Sequence, residues 1–276
     1  MTTEERGRDA ARVTMDPERL EQHIKRAQEV IENDKKSVPP FWINKYKKEA
    51  ARNWDIFYKR NTTKFFKDRH WTDREFEELR STEKLVCLEV GCGVGNFVFP
   101  ALADNPNLFI YACDFSKRAV EMVKSNEQYD ESRCKAFVCD LTVDALTDII
   151  PPDSLDLVSV LFVFSAIPPE KMHLAIHNIY KVLKPGGCVL FRDYGLYDQA
   201  QIKFSESSEQ KKLDQNFYVR QDGTMSYFFS VEDLQTRFEK EGFRTLVNDY
   251  VYRETTNRRL EMKLDRIFVQ AKFQKP

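Results

Sequence analysis

The apolar and polar positions along the chain follow two patterns, which meet near residue 80. In residues 1–80 the apolar side chains recur at helical spacing, most clearly from Phe41 to Asn61. In residues 81–276 short apolar runs of strand length alternate with helical segments. Such an alternation predicts an α/β domain built on a mostly parallel sheet. The sequence therefore divides into a helical extension and a larger α/β domain.

The helical extension contains charged, amphipathic and aromatic segments. Residues 1–16 are charged and lack periodicity, so we expect them to be disordered. Pro17 begins an amphipathic segment, which we interpret as a helix packed on the domain, with a partner-binding arm as the alternative. Trp54 and Tyr58 belong to a later aromatic stripe. That stripe fits either a core-facing surface or a ligand site.

Five apolar runs predict the parallel strands of the domain. They are Leu85–Val90, Leu108–Asp114, Ala136–Asp140, Leu155–Phe164 and Cys188–Phe191. Two later runs, Val247–Tyr252 and Ile267–Phe273, predict strands that pair antiparallel. An Asp-Gly turn between aromatic runs at 217–229 predicts a hairpin. The polar residues 196–216 are predicted to form a long connection.

Three glycines at alternate positions, Gly91, Gly93 and Gly95, separate the first strand from a predicted helix at Asn96–Asp104. Glycine backbone turns tightly and approaches a ligand closely, so this turn predicts a site for a nucleotide-like ligand. Dinucleotide sites typically have the longer spacing G-x-G-x-x-G. In addition, the carboxylate of Glu89 would repel a pyrophosphate but suits a cation. The charge pattern therefore favours S-adenosylmethionine over a dinucleotide, with a glycine-rich turn that binds no ligand as the other alternative.

Acidic and polar residues follow the later strands at their carboxyl ends, where doubly wound sheets bind ligands. Asp114 follows the glycine turn at the interval of a carboxylate that binds ribose hydroxyls. Asp140 can accept a hydrogen bond from an adenine amine, while the backbone N–H of Leu141 donates one. Either aspartate can instead be a helix N-cap or a turn residue. The fifth strand ends in another polar cluster, residues 192–195.

Two segments mix basic residues with other polar or aromatic side chains. The segment 65–71, F-F-K-D-R-H-W, suits stacking on bases and contact with phosphates. A lid over a site and a surface loop are its alternatives. The other basic stretch comprises Arg253, Asn257, Arg258, Arg259 and Arg266. Such a stretch is typical of a solvated loop, and an RNA-facing patch is the alternative.

Composition narrows the classes of function. The 276 residues include 43 Lys and Arg against 44 Asp and Glu, so a polyanion would have to bind a local basic patch. The six cysteines form no C-x-x-C motif, which indicates reduced thiols in a cytoplasmic or nuclear protein. His173 and His177 lack a third ligand candidate, so we expect no metal site. The sequence shows no signal peptide and no membrane-spanning run, so we expect no membrane partner.

Several motifs of this sequence resemble those of a known family. E-V-G-C-G-V-G, Asp114, Asp140 and L-K-P-G-G look like a class I S-adenosylmethionine-dependent methyltransferase. Four longer segments resemble the eukaryotic tRNA 3-methylcytidine methyltransferases, especially the short branch that acts on serine tRNA. These segments are N-W-D-I-F-Y-K-R-N (53–61), F-F-K-D-R-H-W (65–71), F-R-D-Y-G-L-Y-D (191–198) and F-Y-V-R-Q-D-G-T (217–224). The resemblance runs from about residue 42 to the C-terminus.

The resemblance implies a Rossmann-like fold with seven mostly parallel strands, of which the last is antiparallel. It implies S-adenosylmethionine as cofactor and methylation of N3 of cytidine 32 in the anticodon loop of serine tRNA, with seryl-tRNA synthetase as an expected partner. The residues that match the family's cofactor contacts are Trp54, Tyr58, Gly91, Asp114, Asp140, Leu141 and Leu161. The charge argument adds Glu89 to this site, and the glycine turn adds Gly93.

The expected reaction needs no general base, because N3 of cytosine already has an in-plane lone pair. Catalysis can come from alignment of nucleophile and methyl group, and from a carboxylate that stabilises the cationic product. Asp193 is the candidate for this carboxylate. Alternatively, Asp193 is a structural partner of Arg192 or Arg220. The candidates for RNA binding are Phe65, Lys67, Arg69, His70, Trp71, Arg192, Tyr194 and Arg220. A small-molecule methyltransferase and a non-catalytic scaffold for a synthetase remain alternative functions.

Overall fold

The structure, a computed structural model, describes residues 16–63, 65–257 and 262–276. The segment expected to be disordered therefore lies almost wholly outside the described residues. The same holds for Arg258 and Arg259 of the basic stretch.

Helices and strands alternate through the domain as the sequence pattern predicts. The helices are α1 (Pro17–Asn33), α2 (Pro40–Lys48), α3 (Ala50–Asn61), α4 (Thr72–Glu75), α5 (Val98–Asp104), α6 (Lys117–Lys124), α7 (Met172–Val182), α8 (Gln199–Glu206) and α9 (Val231–Lys240). The strands are β1 (Leu85–Val90), β2 (Leu108–Asp114), β3 (Cys134–Val138), β4 (Leu155–Leu161), β5 (Leu183–Tyr194), β6 (Lys212–Asp214), β7 (Phe217–Val219), β8 (Met225–Tyr227), β9 (Arg244–Asn257) and β10 (Met262–Gln274).

The main sheet has seven strands in the order β3-β2-β1-β4-β5-β10-β9. Strands β1 to β5 pair parallel, whereas β10 runs antiparallel to both β5 and β9. The predicted fold, with the last strand antiparallel, is confirmed. The chain order reverses between β1 and β4, which places a crevice for a ligand at the carboxyl ends of these strands.

Two strand ends differ from the prediction in a way that shapes this crevice. β3 ends at Val138, so Asp140 stands in the following loop and not on the strand. β4 ends at Leu161, because Phe162 adopts a left-handed backbone with φ of 59°. Such a conformation is uncommon for a bulky residue and turns the chain away from the sheet.

The predicted long helix at 41–61 is two helices, α2 and α3. They meet at Glu49, whose φ and ψ of −95° and 13° interrupt the helical backbone. Helix α3 carries Trp54 and Tyr58, and α2 carries Lys47. All three side chains line the crevice, so both helices contribute to its wall.

The prediction of a long connection at 196–216 is wrong, because this range contains α8 and β6. Polar residues of α8 are buried through hydrogen bonds, which hides the helix from a hydropathy pattern. Gln201 donates to the side chain of Asn216, and Ser205 bonds with the hydroxyl of Tyr218. The predicted hairpin at 217–229 is confirmed as β7 and β8, to which β6 adds a third strand.

The first predicted helix, α1, packs on the domain as expected. Arg19 forms ion pairs of 2.7 Å with Glu254 and Asp265, and Ala27 is fully buried. In the described segments, no helix combines the length and the apolar character that crossing a bilayer requires.

Candidate cofactor and RNA site

The glycine turn after β1 presents bare backbone at the head of the crevice. Gly91 and Gly93 have left-handed φ values of 61° and 54°. A Cβ atom at Gly91 would lie 2.6 Å from Cγ2 of Val163, and one at Gly93 would lie 2.8 Å from Oη of Tyr58. Both contacts are too short for real atoms, so this close packing requires glycine.

A cleft opens beside this turn, and we call it the cofactor cleft. With the solvent at its mouth included, it encloses about 790 Å³. Six of the predicted cofactor residues line it: Trp54, Tyr58, Gly91, Asp114, Asp140 and Leu141. The cleft also contains Phe162, Val163 and Ile167, from the end of the fourth strand where the sequence predicts ligand binding. The residues that the sequence argument missed include Lys47, Phe115, Thr142 and Lys171.

Asp114 holds the glycine turn and the start of α6 together from within the cleft. Its Oδ2 accepts from N–H of Gly93 at 3.0 Å, and its Oδ1 accepts from N–H of Ser116 at 2.8 Å. Burial raises the pKa of Asp114 to about 6, although both N–H groups favour the charged form. The carboxylate is thus a structural turn residue that also lines the cofactor cleft.

Asp140 combines the same two roles in the loop after β3. Its Oδ1 accepts hydrogen bonds from the backbone N–H and from the hydroxyl of Thr142, at 2.9 and 2.8 Å. Asp140, Leu141 and Thr142 all line the cofactor cleft. The turn interpretation and the ligand interpretation of this aspartate therefore do not exclude each other.

Glu89 and Leu161 lie behind the cofactor cleft, and neither is among its lining residues. Glu89 is 1% exposed, and its Oε1 lies 3.6 Å from Nη1 of Arg69. Burial raises the pKa of Glu89 well above its ordinary value, while the Arg69 guanidinium opposes the shift. The carboxylate therefore faces Arg69 and not the cleft, and it lies two residues before Gly91 on β1.

A second cavity adjoins the cofactor cleft and shares Trp54, Tyr58, Gly91 and Phe162 with it. It encloses about 1010 Å³ with its solvent mouth. Its walls are aromatic and basic, and they include Phe66, Lys67, Arg69, Trp71, Asn96, Ser165, Tyr194, Arg220, Met225, Arg266 and Phe268. Aromatic rings and cations suit an unstacked nucleotide.

Five predicted RNA-binding residues line the second cavity, and three do not. Those on its walls are Lys67, Arg69, Trp71, Tyr194 and Arg220. Phe65 is 57% exposed and His70 is exposed, both outside the cavity. Arg192 is only 4% exposed, with its Cζ 4.6 Å from the ring centroid of Trp71. This corrects its expected position: Arg192 supports Trp71 from behind and does not present its guanidinium to RNA.

Arg69 lines the cavity but is held by the protein. Its Nη1 donates to the carbonyl of Leu161 at 3.1 Å and lies near Glu89, while its backbone N–H donates to Asn96. The structure thus gives Arg69 a role in anchoring the segment 65–71 to the sheet. A phosphate would have to compete with these contacts.

Asp193, the predicted catalytic residue, is fully buried directly behind the second cavity. Its Oδ2 accepts from N–H of Ser165 at 2.9 Å, and its Oδ1 accepts from N–H of Tyr194 at 2.8 Å. Burial raises the pKa of Asp193 to about 6, against the effect of these N–H groups and of Arg220. Its charge therefore lies one layer behind the wall formed by Ser165 and Tyr194.

The residues of the cofactor cleft fit S-adenosylmethionine in chemical character. The glycine turn leaves room for a ligand against backbone, and Asp114 and Asp140 supply carboxylates for hydroxyl and amine groups. Lys47 is one of the cations that line the cleft, and its Nζ forms an ion pair of 2.6 Å with Oε1 of Glu170. In the part of the chain that is described, no group of three or more His, Cys, Asp or Glu residues is arranged to hold a metal ion.

Comparison with known proteins agrees with this site. A family model described as a methyltransferase domain matches residues 88–189. The chain is 56% identical to human tRNA N(3)-cytidine methyltransferase METTL6, over 90% of this chain and 88% of that protein. It is 43% identical to tRNA(Thr) (cytosine(32)-N(3))-methyltransferase of Saccharomyces cerevisiae, over 93% of this chain and 42% of that protein.

Solved structures show the same fold. A SAM-dependent methyltransferase from Anabaena variabilis superposes with a TM-score of 0.59 at 14% identity. The match covers 82% of this chain and 95% of that one. At this identity, the likeness bears on the fold alone.

Proposed function

From the premise that this chain belongs to the tRNA N(3)-cytidine methyltransferase family, we propose that it methylates N3 of cytidine 32 in the anticodon loop of serine tRNA. The methyl donor is S-adenosylmethionine. The number 32 stands in the name of the yeast relative, which acts on threonine tRNA. Serine tRNA is the substrate proposed for this chain because its motifs resemble the serine branch.

One observation carries the proposal: the cofactor cleft and the aromatic, basic second cavity share a wall. Tyr58, Gly91 and Phe162 line both spaces. A methyl donor in the first space and a nucleotide in the second would therefore meet at this wall. A small substrate would not need a second space of this size and charge.

The local charge supports a nucleic-acid substrate. Residues 40–71 contain nine Lys and Arg against three Asp and Glu, in a chain whose net charge is −1. Exposed aromatic side chains accompany them, with Phe41 70% and Phe65 57% exposed. This basic region adjoins the second cavity through Lys67. Phosphate contacts of this kind supply affinity for any RNA sequence.

In the proposed reaction, S-adenosylmethionine supplies a methyl group activated by its sulfonium charge. The protein positions the two reactants, which can supply much of the rate increase. N3 of cytosine attacks with its own lone pair, so no side chain needs to remove a proton. The target base has to leave the stack of the anticodon loop before its pairing edge reaches the wall.

Asp193 is the proposed source of electrostatic stabilisation. Methylation at N3 turns the base into a cation, and a fixed negative charge nearby stabilises this charge as it develops. The buried carboxylate reaches the cavity through the backbone groups of Ser165 and Tyr194, which it orients. Asp193 thus acts across one layer of protein and need not touch the base.

The partner and location are proposed from the resemblance. Seryl-tRNA synthetase would present the serine tRNA, and its own contacts with that tRNA would supply the selectivity. Reduced cysteines fit a cytoplasmic or nuclear protein, because all six are free and buried.

A methyl-transfer assay tests the function. The purified chain is incubated with S-adenosylmethionine and serine tRNA transcripts, with and without seryl-tRNA synthetase, and nucleosides are identified by mass spectrometry. We expect 3-methylcytidine in the natural transcript and none where uridine replaces cytidine 32. Cofactor binding without product in both arms would favour the non-catalytic scaffold. Methylation of small molecules but not of RNA would favour the small-molecule enzyme.

A further inference from the structure

Asn96 directly follows the glycine turn and is fixed to the segment 65–71 by hydrogen bonds. Its Nδ2 donates to Oδ1 of Asp68 at 3.0 Å and to the carbonyl of Phe66 at 3.4 Å. Its backbone carbonyl accepts from N–H of Arg69 at 2.8 Å. These three hydrogen bonds hold Asn96 where it lines the second cavity.

The same partners determine how the side-chain amide of Asn96 is oriented. A carbonyl and a carboxylate accept hydrogen bonds and cannot donate them, so both require the NH2 end of the amide. The amide oxygen, Oδ1, then lies at the opposite end. In the part of the chain that the structure describes, no donor is bonded to this oxygen, and Asn96 is half-buried. Oδ1 is therefore the atom of this amide that remains available to a ligand in the cavity.

The other polar side chains on the cavity walls differ from Asn96 in their hydrogen-bonding capacity. The charged side chains can only donate hydrogen bonds, and they are Lys67, Arg69, Arg220 and Arg266. The indoles also only donate, whereas hydroxyls both donate and accept, and the hydroxyls belong to Tyr58, Ser165 and Tyr194. Among the described side chains that line this cavity, the oxygen that accepts and cannot donate is thus Oδ1 of Asn96.

Such an acceptor can distinguish cytosine from uracil. Cytosine has an amine donor, N4, next to the reacting N3, whereas uracil has a carbonyl acceptor, O4, at the same place. A hydroxyl can bind either group, because it can act as donor or as acceptor. An oxygen that only accepts binds the amine and repels the carbonyl. The cavity has many donors for O2 of the base, so the acceptor for N4 is the group that gives selectivity.

We propose that Oδ1 of Asn96 accepts a hydrogen bond from the N4 amine of the target cytosine and makes Asn96 a residue that determines specificity for cytidine. The inference rests on the proposed function and deepens it, because it names the group that recognises the base. N3 and N4 are attached to the same ring carbon, so this hydrogen bond also fixes the direction of the N3 lone pair. The alternative is a purely structural role, in which Asn96 only anchors the segment 65–71.

The test removes each partner of this hydrogen bond in turn. The protein variant is Asn96→Ala. The RNA variant is serine tRNA with 2-pyrimidinone in place of cytosine at position 32, a base that lacks the amine and keeps N3 and O2. Single-turnover methylation rates are measured for both proteins on both RNAs, at saturating protein and cofactor. On the natural RNA, Asn96→Ala should react about tenfold more slowly than wild-type protein, the effect of one lost hydrogen bond.

On the 2-pyrimidinone RNA, wild-type protein and Asn96→Ala should react at equal rates, because this RNA has no amine for Oδ1 to bind. Without its amino group the base is a weaker nucleophile, so the ratio of the two proteins' rates is compared within each RNA. A purely structural role would lower the rate by the same factor on both RNAs. The comparison therefore separates recognition of the amine from anchoring of the segment.

Asn105→Ala is the matched control. Nδ2 of Asn105 also donates to two acceptors, the carbonyls of Leu79 and Ser81, both at 3.0 Å, but Asn105 lines neither cavity. We expect this variant to lose stability and to methylate the natural RNA at the wild-type rate. Melting temperatures establish that each variant is folded at the assay temperature. Asn96→Ser repeats the comparison with a polar side chain whose oxygen does not reach the position of Oδ1.

Two results would overturn the inference. One is a loss by the same factor on both RNAs in Asn96→Ala, which would assign Asn96 to anchoring alone. The other is a wild-type rate of this variant on the natural RNA. Wild-type protein that methylates the natural RNA in the same assay is the reference for all variants. If it forms no 3-methylcytidine, the proposed function fails and not this inference alone.

Discussion

Nη1 of Arg69 lies 3.6 Å from Oε1 of Glu89, and this pair joins the basic segment 65–71 to the strand that leads into the glycine turn. The two side chains are 16% and 1% exposed. Oε2 of Glu89 has no hydrogen-bond partner among the described residues, so Arg69 is the neighbour that compensates its burial. The segment proposed to bind RNA and the loop proposed to bind the cofactor are thus joined by this pair.

Arg69→Met should destabilise the protein strongly, because it leaves the Glu89 carboxyl buried without its partner. We expect the free energy of unfolding to fall by on the order of 3 kcal/mol, measured by urea denaturation. Adding Glu89→Gln should restore part of the loss. As a control, Arg52→Met breaks an exposed pair with Glu49 and should cost less than about 1 kcal/mol. Equal losses in the two single variants would contradict the structural role of the buried pair.

Gly91→Ala should weaken cofactor binding through a clash that can be separated from backbone strain. Gly186 provides the comparison, because its φ of 81° is also left-handed but no atom lies within 4 Å of an added Cβ. Gly186→Ala should cost about 1 kcal/mol of stability, the strain of the left-handed backbone alone. In Gly91→Ala the clash with Val163 should add about 1–3 kcal/mol and lower S-adenosylmethionine affinity in calorimetry. Similar behaviour of both variants would mean that the glycine turn does not hold the cofactor.

Cofactor binding should depend on pH through Asp114. The pKa of this carboxyl is about 6 in the free protein, so it is charged at pH 7 and increasingly protonated below pH 6. A cationic ligand with hydroxyl donors favours the charged form, so the dissociation constant should rise as pH falls from 7 to 5. Asp114→Asn should bind about tenfold more weakly at pH 7, from loss of charged hydrogen bonds. Its affinity should also change less with pH, and an identical pH profile in both proteins would exclude this role.

The sequence predicts the sheet well because its signals are local. Runs such as Leu155–Leu161 are apolar throughout, and the glycines and acids at the strand ends mark the crevice by their type alone. The alternation of these runs with helices then determines the strand order within few possibilities. The carboxylates Asp114 and Asp140 could be placed in the cleft for the same reason.

The basic residues were harder to place, because the function of a cation depends on what lies opposite it. Arg192 and Arg69 look alike in sequence, yet one lies behind Trp71 and the other pairs with Glu89. Arg266 resembled a solvated residue, since its partner Asp198 is 68 positions away in the chain. The sequence also does not show that the strand ends before Phe162, because the left-handed backbone of this residue is imposed by tertiary structure. Contacts between residues that are distant in the sequence cannot be inferred from a single amino-acid sequence.

Lys67→Gln should weaken tRNA binding uniformly across sequences. Lys67 is exposed and lines the second cavity, so its ammonium group is available to a phosphate. Removal of one phosphate contact should lower the slope of log Kd against log salt by about one. Lys135→Gln, an exposed lysine on the edge strand β3, should leave the slope unchanged. Equal slopes in the wild-type protein and in Lys67→Gln, from filter binding between 50 and 200 mM salt, would remove Lys67 from the RNA site.

Asp193→Asn should lower the methylation rate with little effect on cofactor binding. The amide oxygen of the variant can still accept a hydrogen bond from one of the two backbone N–H groups, but the negative charge behind the cavity is lost. We therefore expect a single-turnover rate about tenfold lower. Because the pKa of Asp193 is about 6, the wild-type rate should fall as pH decreases from 7 to 5, whereas the variant's rate should change less. Saturating cofactor at each pH removes the contribution of Asp114 to this profile. An unchanged rate in Asp193→Asn would show that the carboxylate only braces the wall between Ser165 and Tyr194, and stabilisation of the cationic product would have to come from another group.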